Sequence, residues 1–216
     1  MRVGKQNIAF TLLVSAVFGA GASSLIYEVL WIRQLGFALG STAVATSIML
    51  AAFLGGLALG SWLMGRVADK LVNPLKTFAI IEVCAAITGL ASIPALAYAG
   101  RAYVLIATTT GITGFGSMVL RGVFALIIMA IPATLFGMTF PLATVAGARL
   151  VGGDTAAGIV SAASSFGSAA GALVCGVWLE PTFGLFGSAL VGAGLNIVAA
   201  ICVVMTGFLT GKACGK

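Results

Sequence analysis

The sequence predicts an all-α integral membrane protein, a bundle of about seven transmembrane helices. Of its 216 residues, 61% are hydrophobic and 7% are charged, and the mean hydropathy is +1.19. A soluble domain carries about a quarter charged residues. The chain is long enough for several spans of about 20 residues with short connections and little else. We therefore expect one transmembrane domain over residues 1–216.

Seven apolar segments are each long enough to cross a hydrocarbon core of about 30 Å as a helix. The fourth is short and rich in threonine and glycine. The basic and then apolar N-terminus also resembles a signal peptide, but the apolar run continues past Ser24, so we favour a first transmembrane helix. The segments cover residues 8–30, 42–64, 75–98, 102–120, 122–147, 157–179 and 185–209.

Two prolines, Pro132 and Pro141, fall inside the fifth predicted span. Proline removes a backbone N–H and clashes with the preceding turn, so we expect this helix to be kinked or broken. Neighbouring helices or hydroxyl groups would then satisfy the freed carbonyls. Asp154, in "VGGDTAAG", is expected to cap the sixth helix, because an aspartate there accepts hydrogen bonds from the free amides of the first turn.

The positions of Lys and Arg favour a cytoplasmic N-terminus. With seven spans, six basic residues fall inside and five outside, and the loop "GRVADKLVNPLK", residues 65–76, carries three of the six. Early loops usually dominate orientation. This topology leaves the basic tail "TGKACGK" outside, which an eighth crossing or a re-entrant segment would correct. We expect a multi-pass protein of the inner (plasma) membrane.

Composition argues against several classes of function. The chain has no histidine, and its four cysteines lack the spacing of metal ligands, so we expect no metal, no cofactor and no catalysis by Ser/His or Cys/His pairs. No other pairing of nucleophile and base is evident, and we expect no enzyme. The eleven basic residues are scattered singly, which argues against a nucleic-acid partner.

Small residues recur four apart on three of the predicted spans. Such stripes let another helix backbone approach closely, and an asparagine on one of them can hydrogen-bond across. They are either ordinary packing surfaces of a bundle or faces that slide during transport, and the sequence leaves both readings open. The positions that we single out are Gly56, Gly60, Gly167, Gly171, Gly192 and Asn196.

Glu28 and Arg33 stand near the end of the first predicted span. They are five residues apart, about 140° around a helix, and so cannot neutralise each other as an i,i+4 pair. One reading places both at the outer interface, with Tyr27 and Trp31 as aromatic belt residues. The other turns Glu28 towards a cavity between helices, with Arg33 or the arginines at 101 and 149 within reach.

Glu82 is the acidic residue expected to lie deepest in the membrane. It lies six residues past Lys76, about 9 Å along the third helix. Its predicted partner is Arg121, on the same predicted side of the membrane. The two form either a structural ion pair or a substrate or ion site, because acids within spans are expensive and often functional. Glu180, before Pro181, is expected to be a solvated helix end.

Two stretches, "SSLIYEVLWIRQLGFALGST" and "LAAFLGGLALGSWLMGRVAD", resemble the start of the membrane domain of the fused major-facilitator-like/spermidine synthase family. The segments "IPATLFGMTFPLAT" and "GSAAGALVCGVWLEPTFGLFGSALVGAGLN" are similar to later parts of that domain. The resemblance covers nearly the whole chain and implies a major-facilitator-like half. The matching motif residues are Tyr27, Glu28, Trp31, Arg33, Gly40, Ser41 and Thr42.

The chain departs from that family because no aminopropyltransferase segment follows the membrane part. No strand with a Gly-rich turn and an acidic residue occurs in it, so polyamine synthesis is not implied. Two functions remain. We favour a non-catalytic membrane subunit or scaffold that packs against lipids, partner membrane subunits or cofactor-bearing subunits, or forms a homodimer. The alternative is a small carrier for a cationic metabolite such as a polyamine, with Glu28 and Glu82 as counter-charges.

Overall fold

A computed structural model of the protein describes residues 2–39, 42–111 and 114–211. Gly40 and Ser41 of the family motif, and the basic Lys212 and Lys216, lie outside these ranges. The described residues form helices and no strand. A short 3-10 helix covers Ala68–Lys70, and a π-helical turn, Cys175–Leu179, joins the last two helices. The six α-helices are α1 Arg2–Leu39, α2 Thr42–Gly65, α3 Pro74–Thr110, α4 Gly114–Val151, α5 Gly153–Val174 and α6 Glu180–Thr210.

Five helical stretches of the described chain are long and apolar enough to cross a membrane. The last of them, Gly153–Thr210, is 58 residues long and reverses direction at Gly184, where φ is 68° and ψ is −175°. Before this glycine the chain runs parallel to α1, as Gly167 meets Phe18 and Cys175 meets Ile26. After it the chain runs antiparallel. The described residues therefore make six passes along the bundle.

The predicted count of about seven spans is not confirmed, because the segment 102–120 is not a separate helix. Its first residues continue α3 to Thr110 and its last begin α4 at Gly114. The chain turns close to Gly111, whose φ of 69° suits glycine. Arg101, which the sequence suggested as a loop residue, lies inside α3 with its guanidinium 5.5 Å from the ring of Tyr98.

The two halves of the bundle, α1–α3 and α4–α6, pack in equivalent ways. Each extensive helix contact keeps its counterpart when α1, α2 and α3 trade places with α4, α5 and α6. Helix α1 packs on α5 and α6, and α4 packs on α2 and α3 in the same way; α1 also meets α4, and α3 meets α6. Gly60 of α2 lies against the backbone at Thr134, as Gly171 of α5 lies against the backbone at Ala22. Because each half has three passes, the two halves run in opposite directions, which is the arrangement of an inverted repeat.

Helix α4 is continuous through Pro132 and Pro141, so of the predicted kink or break, the break does not occur. A proline at position 141 leaves the carbonyl of Gly137 without its usual amide donor. Ser61 of α2 donates to this carbonyl through Oγ at 2.9 Å. A hydroxyl on a neighbouring helix therefore satisfies the freed group, as expected from the sequence.

Replacing Ser61 by alanine is expected to destabilise the protein by about 1 kcal/mol, because the Gly137 carbonyl then loses its donor. Ser47→Ala is the matched control: its hydroxyl is exposed and bonds only the Ala43 carbonyl of its own helix. Thermal unfolding in detergent measures both. An equal loss in the two variants would contradict this role for Ser61.

The predicted cap at Asp154 is wrong. The residue that precedes α5 is Gly152, whose φ is 102°, and no side chain caps this helix. Asp154 lies in the first turn, where a negative charge still favours the amide end of the helix dipole. The glycine conformation takes the chain from α4 into α5 with one residue between them.

Candidate functional site

Three polar side chains meet in the interior between α1, α3 and α6, and we call them the polar cluster: Ser23, Glu82 and Asn196. All three are fully buried. Ser23 donates through Oγ to the Gly192 carbonyl at 2.9 Å. In the amide orientation that satisfies its neighbours, Asn196 places Nδ2 at 2.7 Å from Ser23 Oγ and 3.2 Å from Glu82 Oε2. Asn196 thus bonds across helices, and its partners are on α1 and α3.

Glu82 does not pair with Arg121. The arginine packs over the ring of Tyr103, 4.0 Å from guanidinium carbon to ring centre. From residue 82 to residue 103 is about 30 Å of helix. The prediction placed both groups on one side of the membrane because it counted an additional span. Glu82 Oε1 is buried and has no hydrogen-bond partner among the described residues.

Arg33 forms its ion pair with Glu180, at the junction of α5 and α6. The prediction of a solvated Glu180 is wrong, since only 9% of its side chain is exposed, against 48% for Arg33. Glu28 is half-buried and forms no ion pair within the described chain. Sequence spacing could not find the Arg33–Glu180 pair, because the partners are far apart in the chain and meet only through the parallel packing of α5 along α1.

A double-mutant cycle on Arg33→Gln and Glu180→Gln is expected to give a coupling of about 1 kcal/mol, since the arginine is half exposed and solvent screens the pair. Each single variant should lose about that amount, and the double variant little more. Denaturation of the purified protein in detergent measures the cycle. Strictly additive losses would show that the two side chains do not interact.

Tyr27 and Trp31 are core residues and not belt residues, which corrects the sequence interpretation. Both are fully buried. Tyr27 donates through its hydroxyl to the Ala189 carbonyl at 3.1 Å, and Trp31 donates through Nε1 to Ser92 Oγ at 2.8 Å. Their rings stack 6.0 Å apart. Of the motif that carries the family resemblance, these two aromatic residues therefore lie in the core of the bundle.

The singled-out glycines lie where helices approach closely. Gly56 and Gly60 face Ala133 and Thr134 of α4, while Gly167 and Gly171 face backbone atoms of α1. A Cβ at Gly192 would meet the Tyr27 ring at 3.2 Å. The structure holds these faces in direct contact.

A cavity of about 220 Å³ opens between α1, α2, α4 and α5. Five hydroxyl side chains line it, together with four phenylalanines. The sequence analysis missed this site, although four serines of α5 at positions 161, 164, 165 and 168 were a usable signal. The lining hydroxyls are Ser24, Ser61, Thr139, Ser164 and Ser168.

A second cavity, also about 220 Å³, lies between α1, α3 and α4 at the end of the bundle where Arg121 is found. Its walls are mostly apolar, with Gln34 and Tyr103 among the polar residues. Gln34 donates through Nε2 to the Ile93 carbonyl at 2.8 Å. This cavity is separate from both the polar cluster and the hydroxyl-lined cavity.

The described chain is therefore an all-helical protein with five helical stretches long and apolar enough to span a membrane. In comparisons with protein-family profiles, curated proteins and solved structures, no match was found.

Proposed function

We propose that the protein is a non-catalytic, multi-pass subunit of a membrane assembly. It packs the face formed by α1, α2, α4 and α5 against another membrane protein. It is a counterpart of the membrane half of the fused major-facilitator-like/spermidine synthase family. The six passes and the inverted repeat support this reading, because they match the plan of one half of a major facilitator.

The observation that carries the proposal is the contrast between two outer faces of the bundle. Between α3 and α6 lies a groove of about 530 Å³ whose walls are apolar apart from Lys76 at one end. On α5, Ser161 and Ser165 are exposed, and Ser168 is partly so. Spaced four and three residues apart, they share one side of the helix. Hydroxyls gain little from hydrocarbon and are used between helices, so this side suits a protein neighbour.

The charge distribution supports a cytoplasmic N-terminus in the inner (plasma) membrane. With six passes, the described basic residues divide six to three. The end of the bundle that holds the N-terminus carries Arg2, Lys5, Arg66, Lys70, Lys76 and Arg149, and the other carries Arg33, Arg101 and Arg121. This asymmetry is stronger than the six-to-five division predicted from the sequence, because the chain makes one pass fewer than predicted. The end of a bundle that is richer in Lys and Arg faces the cytoplasm.

The test is the mass of the protein purified in a mild detergent, measured by light scattering and native mass spectrometry. We expect a stoichiometric membrane partner that is lost from Ser165→Trp and retained by Ile201→Trp, a control on the outer face of α6 where Ile201 is 54% exposed. A wild-type protein that runs as a single chain with nothing bound would overturn the proposal. A homodimer sensitive to Ser165→Trp would make the partner a second copy.

The alternative is a carrier for a cationic metabolite, and one observation favours it. Glu28 is half-buried and stands four residues beyond Ser24, which places it on the helical face that lines the hydroxyl-rich cavity. Glu82 is enclosed and does not reach that cavity. A carrier predicts that spermidine raises the melting temperature of the wild type and not of Glu28→Gln. Equal melting curves with and without spermidine would remove this alternative.

A further inference from the structure

We propose that the carboxyl group of Glu82 is a proton-binding site of the folded protein, positioned by Asn196 and Ser23 inside the bundle. The site is independent of the proposed subunit role, because it lies between α1, α3 and α6 and away from the face with the serines. Three features of the described residues point to this site: the enclosure of the carboxyl group, the lack of a matching cation beside it and the donors that surround it.

The carboxyl group is enclosed. The side chain of Glu82 is fully buried, and only one of its oxygens, Oε2, has a neighbour at hydrogen-bond distance, the Asn196 amide at 3.2 Å. The other oxygen, Oε1, has no partner within the described chain. A carboxylate removed from water without an opposite charge costs several kcal/mol. A group in this position is therefore matched by a cation or neutralised by a proton.

No side chain supplies the cation within the described residues. Arg33 pairs with Glu180, and Lys76 is exposed. Arg149, in the last turn of α4, donates to the backbone carbonyls of Asp69 and Leu71. No described side chain on α1, α3 and α6, or on α4, which packs against α1 and α3, forms an ion pair with Glu82. The charged and titratable groups on those helices include Lys5, Tyr27, Glu28, Arg33, Lys76, Cys84, Tyr98, Arg101, Tyr103, Arg121, Arg149, Glu180 and Cys202.

The donors around Glu82 favour a proton over a metal cation. A hard cation such as calcium needs six or more oxygen ligands. Here the Asn196 nitrogen points towards Glu82, and Ser23 Oγ already donates to the Gly192 carbonyl. The described residues also contain no group of three carboxylate, histidine or cysteine side chains that could hold a metal ion. A proton on Oε1 needs no coordination shell and leaves the Asn196 bond to Oε2 intact.

The proton has a consequence for stability. On unfolding, Glu82 meets water and ionises at neutral pH, so the folded protein binds one proton more than the unfolded chain. Stability then falls as the pH rises. Asn196 and Ser23 act as positioning residues, because they hold Oε2 while the proton sits on Oε1.

The direct test is an infrared difference spectrum of the purified protein at neutral pH, wild type minus Glu82→Gln. We expect the carbonyl band of a protonated carboxylic acid, shifted in D2O, and the same band in wild type minus Glu82→Ala. Wild type minus Asp154→Asn is the control, because this carboxyl group is exposed, and it should lack the band. A carboxylate band from Glu82 in place of the acid band would overturn the proposal, and so would loss of the acid band on adding sodium chloride.

The second test is the pH dependence of unfolding between about pH 6 and 8. One released proton raises the unfolding constant of the wild type about tenfold per pH unit. Glu82→Gln imitates the neutral acid in shape, so it should fold and lose this contribution, and Asp154→Asn, at an exposed carboxyl group, should keep it. An unchanged pH slope in Glu82→Gln would overturn the proposal even if the subunit assignment holds.

Discussion

Replacing Trp31 by alanine is expected to destabilise the protein by about 3–5 kcal/mol, the usual cost of removing a large aromatic side chain from a core. The ring is fully buried, stacks on Tyr27 and meets Phe53 edge-on at 6.3 Å. Its removal would also leave Ser92 Oγ without its indole donor. Chemical denaturation in detergent, followed by a probe other than tryptophan fluorescence, measures the loss.

The control for this experiment is Trp178→Ala. Trp178 is 58% exposed on the π-helical turn, and its ring touches Phe183 at 5.9 Å. Truncation of an exposed side chain usually changes stability by less than about 0.5 kcal/mol. If both variants lost the same stability, Trp31 would have to be a surface residue, as the belt interpretation assumed.

Replacing Gly171 by alanine is expected to cost about 1–3 kcal/mol, because the added methyl group has to enter space that the backbone of Ala22 already fills. Gly60 occupies the equivalent position in the other half of the bundle, against Thr134 of α4, so we expect the same cost for Gly60→Ala. The two helices have to separate or shift in either variant. Melting temperature in detergent measures both.

Each helix offers its own control. A methyl group at Gly158 of α5 or at Gly55 of α2 would meet nothing within 4 Å. Both substitutions remove a helical glycine, so each should be neutral or stabilising by up to about 1 kcal/mol. If Gly171→Ala and Gly60→Ala were as stable as these controls, the helices would tolerate separation along the glycine stripes. A sliding interface requires such tolerance.

Hydropathy and small-residue spacing predicted much of the helix layout. The segment 42–64 coincides with α2, and the glycines of α2 and α5 lie at close helix contacts. These features depend on local patterns that the sequence displays directly. The boundary between α3 and α4 was missed, because Arg101 suggested a loop inside a long helix while the true turn beside Gly111 follows three threonines.

The partners of the charged residues could not be predicted in the same way. Glu82 was expected to pair with Arg121 and instead meets Asn196, while Arg33 meets Glu180. Each of these contacts depends on which helices become neighbours, and one extra span in the topology moved Arg121 to the wrong end of the bundle. Burial of Tyr27 and Trp31 was missed because an aromatic residue near a charge also fits an interface.

The position of α1 has a consequence for the order of assembly. It leaves the ribosome before the other described helices, yet its neighbours include α5 and α6, which are synthesised after α2, α3 and α4. Until α6 is inserted, the Tyr27 hydroxyl lacks its Ala189 acceptor and Ser23 lacks the Gly192 carbonyl. Closure of the bundle is therefore a late, long-range step of biogenesis, and nascent chains halted before residue 185 expose the polar side of their first helix.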